Sequence, residues 1–249
     1  MTILIFIFGL IIGSFLNVCI YRIPLGQSIV TPPSACGSCG QRLKPKDLIP
    51  LLSWLYLKGK CAYCGESISI RYPLVEFITG LIFALTYWVF GWTWILLIYL
   101  IIYSALIAIV FIDLDHQIIP NSINLFLLII FFISNFILEY IYWKEAFIGG
   151  LLGGGFLFLL VLLSRGGAMG MGDVKLMGVL GLFLGWKYTI LCLLLSFIIG
   201  GVFSVFLLVL KIKGRKDAIA FGPWLVAGFF ITTIFGNNIL DWYLRLLRG

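Results

Sequence analysis

Ala168-Met-Gly-Met-Gly-Asp-Val-Lys175 is the stretch on which the fold turns. It sets one acid, Asp173, between glycines and an apolar run. A second stretch answers it, Phe111-Ile-Asp-Leu-Asp-His-Gln-Ile-Ile-Pro-Asn121, with Asp113 and Asp115 at the end of another apolar run. A carboxylate at membrane depth costs several kcal/mol, roughly 2.5–3.5 on insertion scales, so each one needs a purpose. Two of them, each closing a greasy segment, point to carboxylates that meet as an acid–base pair.

The membrane premise comes from composition. The chain has 249 residues, of which 62% are hydrophobic and 11% charged. Soluble domains are about 45–50% apolar and about 25% charged, so this is a polytopic membrane protein whose backbone must pair inside helices. The net charge of +7 belongs to loops beside spans, and nucleic acid is not an expected partner. The first segment lacks a basic start and a cleavage site, and is read as a retained span.

Apolar runs over residues 2–21, 74–90, 94–112, 122–141, 146–163, 174–184, 188–210 and 220–235 give an all-α fold of about eight transmembrane helices. Gly9, Gly13 and Asn17, four residues apart, give the first span a small face for close helix contact. The run 174–184 is short and crowded with Gly178, Gly181 and Gly185, which suggests a broken or re-entrant helix buried in protein. Residues 237–249 read as an interfacial amphipathic tail with Trp242 and Tyr243 as belt residues. Three parts are expected: a first span over 1–24, a cytoplasmic cysteine subdomain over 25–73, and a membrane-embedded domain over 74–249.

Charge fixes the expected orientation. With the cysteine subdomain inside, the inner loops hold thirteen of the 17 Lys and Arg residues, including Arg22, Arg165, Lys175 and the cluster Lys211, Lys213, Arg215 and Lys216. The outer side keeps Lys144, Lys187, Arg245 and Arg248. Positive charge stays cytoplasmic, so Asp113, Asp115 and Asp173 fall at cytoplasmic helix ends.

The cysteine subdomain is too small for a self-sufficient core. It carries Cys36-Gly-Ser-Cys39 and Cys61-Ala-Tyr-Cys64, each followed by glycine, Gly40 and Gly65. Four thiolates at this spacing suit a closed, structural Zn²⁺ site; disulfides are the competing reading, and a cytosolic setting argues against them. Cys19 and Cys192 lie inside spans and read as small hydrophobes.

Around the acids the plainer readings compete. Asp173 could cap a helix starting at Val174, and Asp115 could be a solvated loop residue or pair with Lys175. The glycines before Asp173 allow positive φ and close backbone approach. Lone His116 is read as a non-catalytic loop residue. Glu76, just inside a span, could pair with Arg71 or Arg22, or face the active cavity. The glycines at 149–150 and 153–155 follow no strand and read as helix packing. The same acids would also serve a proton-coupled transporter, although no internal repeat supports one.

Gly13-Ser-Phe-Leu-Asn-Val18 with Tyr21-Arg22, the cysteine pairs, Arg71-Tyr-Pro-Leu-Val-Glu76, Asp113-Leu-Asp-His-Gln-Ile-Ile-Pro120, Gly170-Met-Gly-Asp-Val-Lys-Leu176 and Phe221-Gly-Pro223 together resemble the type IV prepilin peptidases. The resemblance runs through nearly the whole chain. It implies a bifunctional enzyme of the bacterial inner membrane. Such enzymes cut the leader of type IV prepilins and pseudopilins after a Gly on the cytoplasmic face. They then methylate the new N-terminal residue, usually Phe, with S-adenosylmethionine. The resemblance places catalysis on Asp113 and Asp173, with Asp115 in support. Met171 stands where many members carry Tyr or Phe. The methyltransferase half rests on the cysteine region, and Glu76 is one candidate to orient the amine.

Overall fold

The computed structural model describes residues 1–165, 167, 169–211 and 219–248. Ala168, Gly249 and most of the basic cluster, including Lys213, Arg215 and Lys216, lie outside the described residues. The described residues are mainly helical, and extended pairing among them is confined to two isolated bridges, Ala35–Arg42 and Lys60–Ser67. Among the described residues eight α-helices follow in order: α1 Thr2–Arg22, α2 Leu52–Tyr56, α3 Arg71–Phe90, α4 Trp94–His116, α5 Asn121–Leu138, α6 Trp143–Leu163, α7 Met171–Val209 and α8 Gly222–Arg248. All but α2 are long and apolar enough to cross a membrane.

Two compact units divide the chain, Met1–Phe111 and Ile112–Gly249, with α4 passing from one to the other. In the first, α1 packs on α3 through its small face. A Cβ on Gly9 would stand 2.7 Å from the Gly80 Cα, and one on Gly13 would stand 2.6 Å from the Glu76 Cα. Asn17 Nδ2 donates to Tyr72 O at 3.1 Å, the polar bond across helices that its position suggested. Ile5, Phe83, Leu96 and Leu100 form the apolar cluster where α1, α3 and α4 meet.

In the second unit, α7 is not one rod. Thr189 Oγ1 reaches Gly181 O at 3.5 Å. Eight residues of straight helix rise about 12 Å, so the chain doubles back between them. The turn is Gly185, with φ 70 and ψ 171. The segments 171–184 and 186–209 are therefore two separate helical arms. The first arm is mostly buried, as its shortness requires. The glycines of α6 hold it: a Cβ on Gly149 would meet the Gly185 carbonyl carbon at 2.7 Å, and one on Gly153 would meet Met177 O at 2.9 Å.

Two expectations change. α4 runs on through Asp113 and Asp115 to His116, so His116 closes a helix and does not lie in a loop. α8 continues unbroken to Arg248, so the expected separate tail is the end of the last helix.

Candidate active site and metal centre

Asp113 sits in the last turn of α4 and is 5% exposed. Its own carbonyl accepts the Gln117 N–H at 2.9 Å, and Gln117, at φ 54, breaks the helix. Pro120 then enters as the N-cap of α5, in extended backbone. Asp115 and His116 are exposed.

Asp173 lies in the first turn of α7 and is 9% exposed. The helix starts at Met171, three residues earlier than the capping reading had it, with Gly170 as N-cap. The Gly170 N–H bonds back to the Asp173 carboxyl, so part of the capping reading holds. The other oxygen, Asp173 Oδ1, is buried and has no hydrogen-bond partner among the described residues. A cap alone would not leave a buried carboxylate oxygen unsatisfied. Asp113 is near enough for its charge to bear on Asp173.

The glycines work by proximity. Gly170 is at φ −79 and Gly172 is helical, so neither adopts the positive φ considered for them. A Cβ on Gly172 would stand 3.0 Å from the Ile119 Cβ. Lys175 Nζ donates to Asn121 Oδ1 at 2.9 Å. These contacts tie the start of α7 to the connection that follows Asp113.

Phe221-Gly-Pro223 supplies a group the motif reading left without a task. The Gly222 N–H, at the head of α8, donates to Asp113 Oδ2 at 3.0 Å. A Cβ there would come 2.6 Å from that oxygen and 3.3 Å from the Ile119 Cδ1. The Asp113, Asp173 and Gly222 motifs therefore converge around Ile119. A proline in the first turn of a helix was the available signal.

Glu76 is buried, its Oε2 accepts the Leu51 N–H at 2.8 Å, and Ser14 bonds to its side chain. Arg22 donates to Ser28 O and Pro32 O, and the Arg71 guanidinium lies over the Phe111 ring.

The cysteines form a second site built twice over. The Cys36 N–H bonds to Gln41 O and the Gly40 N–H to Cys36 O; Cys61, Glu66 and Gly65 repeat the pattern. Gly40 and Gly65 take φ 69 and φ 73, where glycine is favoured. The four sulfurs all lie within 4.8 Å of one another, and Cys36 and Cys64 are 3.9 Å apart. A tetrahedral Zn²⁺ with bonds of about 2.3 Å separates its sulfurs by about 3.8 Å, so the donor set fits. The Cys39 and Ser38 N–H groups bring the Cys36 thiol down to about 6. Cys64 is pushed up to about 12: the Glu66 N–H lowers it, but burial and the other three sulfurs outweigh that. Thiols this close resist becoming anions together, and a dication removes that conflict.

Two family models match the chain. One is described as the Bacterial Peptidase A24 N-terminal domain and covers residues 7–90; the other, the Type IV leader peptidase family, covers residues 100–205. A prepilin leader peptidase/N-methyltransferase of Aeromonas salmonicida (strain A449) is 35% identical, over 98% of this chain and 94% of its own. One of Bacillus subtilis (strain 168) is 34% identical over 99% of each chain. One of Pseudomonas aeruginosa is 34% identical, over 95% of this chain and 91% of its own. No solved structure matches.

Proposed function

The chain belongs to the type IV leader peptidase family, and on that premise we propose that Asp113 and Asp173 hydrolyse the leader of a type IV prepilin or pseudopilin. The cut follows a glycine, on the cytoplasmic face of a bacterial inner membrane. The observation that carries this reading is the pair itself: two buried carboxyls whose flanking motifs converge on Ile119, one with an oxygen that no described residue satisfies.

Carboxyls in this relation hold one proton between them. The ionised member takes a proton from water, and the water oxygen attacks the scissile carbonyl. The protonated member hydrogen-bonds to the carbonyl oxygen. Collapse breaks the C–N bond, and a proton passes to the departing amine. The Gly222 N–H holds the Asp113 carboxyl in one orientation, while Asp173 Oδ1 is available to the water or the carbonyl.

The second activity methylates the freed amine. S-adenosylmethionine is the co-substrate; its methyl group moves to nitrogen, S-adenosylhomocysteine leaves, and the amine sheds one proton. Glu76, already bonded to the Leu51 N–H, braces the cysteine subdomain and is not assigned to the amine. Cys36, Cys39, Cys61 and Cys64 would hold Zn²⁺, which staples a subdomain without a core of its own. Four thiolates fill a closed site, so the reading gives that metal no part in bond cleavage.

The test incubates purified protein in proteoliposomes with a prepilin and labelled S-adenosylmethionine. Mass spectrometry should report a leader lost after Gly and a labelled methyl on the new N-terminus. An intact prepilin would refute the reading.

A further inference from the structure

The cysteine subdomain exposes an apolar face that its own fold does not cover. Leu52, Leu55 and Tyr56 of α2 are 64%, 62% and 87% exposed. Spacings of three and four put them on one side of the helix. Leu48 and Ile49, just before α2, are exposed as well. Trp54 faces the other way, its ring against Gly59 and its Nε1 donating to Ile68 O at 3.1 Å. Five large apolar side chains within nine residues form the kind of patch that marks a docking surface. Lys44, Lys46, Lys58 and Lys60 flank it in sequence, all exposed.

The height of this face is fixed. Leu51, the N-cap of α2, donates its N–H to Glu76 Oε2. Glu76 lies five residues into α3, about 7–8 Å along the axis of a spanning helix. The start of α2 is thereby held level with the second turn of a membrane span. At that depth the neighbour is the headgroup and upper acyl region of the bilayer. Exposed lysines on both sides of an apolar segment in sequence complement an anionic leaflet.

We propose that α2 and the turn before it lie in the surface of an anionic leaflet, with Leu48, Ile49, Leu52, Leu55 and Tyr56 against lipid. The cysteine subdomain is then moored to the bilayer at a set height, a property separate from either chemical step.

The test places the photo-crosslinking residue p-benzoylphenylalanine at Leu55 or Tyr56 in the full chain, with Leu81 of α3 as control. The protein is reconstituted in phosphatidylcholine vesicles with or without phosphatidylglycerol. Mass spectrometry should find lipid adducts at 55 and 56 when phosphatidylglycerol is present. Their yield should fall at least about threefold without it, or after Lys44→Gln, Lys46→Gln, Lys58→Gln and Lys60→Gln together, while Leu81 is unchanged. Absence of lipid adducts at 55 and 56 with normal labelling at Leu81 overturns the proposal. So does equal yield in neutral vesicles, or crosslinking to a second copy or to added prepilin. Leu81 reports separately on the spanning of α3, and no outcome depends on peptidase activity.

Discussion

The Gly222 N–H donates to Asp113 Oδ2 across 109 positions of sequence. That bond seats the head of α8 on one carboxyl of the pair. A Cβ at 222 would stand only 2.6 Å from the same oxygen, so any larger residue there must displace the Asp113 carboxyl. Gly222→Ala should lower kcat for leader cleavage about a hundredfold with little change in KM, since about 1 Å of displacement has that effect. Methylation of an already cleaved pilin should persist in this variant and certifies that it is folded. Unaltered cleavage would remove Gly222 from the account of the site.

The acids themselves give the simplest expectation. Asp113→Ala and Asp173→Ala, each alone, should reduce cleavage at least about a thousandfold, because each half of the pair depends on the other. Both variants should insert normally in vesicles. Substantial cleavage by either one is incompatible with the proposed mechanism.

Metal content can be counted directly. The purified protein should carry one Zn²⁺ per chain, and Cys39→Ser or Cys61→Ser should lose it. Structural Zn²⁺ contributes about 10–16 kcal/mol in small finger peptides, so residues 25–73 of the stripped protein should become sensitive to protease. Protease resistance unchanged by chelation would argue against a stapling role.

Helix packing between α6 and α7 is a separate matter of stability. A Cβ on Gly149 meets backbone at Gly185, which has no flexible end to yield. Gly149→Ala should cost about 1–3 kcal/mol, read as a lower Tm in detergent. Gly155→Ala, where a Cβ meets nothing within 4 Å, is the matched control and should leave Tm unchanged.

Much of this arrangement was legible in the residues. The spans announce themselves because lipid tolerates only apolar side chains. Gly185 in a glycine-broken run signalled that 174–210 was not one helix. Asp113 and Asp173 stood out because acids in such surroundings are expensive. The cysteine pairs declared their site through spacing. What sequence concealed was carried by the backbone. Every residue but proline has an N–H, so nothing in Phe221-Gly-Pro223 says that this one reaches Asp113. The positive φ of Gln117, which stops α4 just past Asp113, is likewise invisible in the residue type. Leu51, at φ 59, gave no hint that its amide would meet Glu76.

Fourteen helical residues, 171–184, reach only about 21 Å, against roughly 30 Å of hydrocarbon in an ordinary bilayer. The arm is buried along most of its length, so protein, α6 among its neighbours, and not thinned lipid surrounds the Gly185 reversal. Asp173 thereby stands on a helix screened from the acyl chains, and its stub-like support need not answer to bilayer thickness.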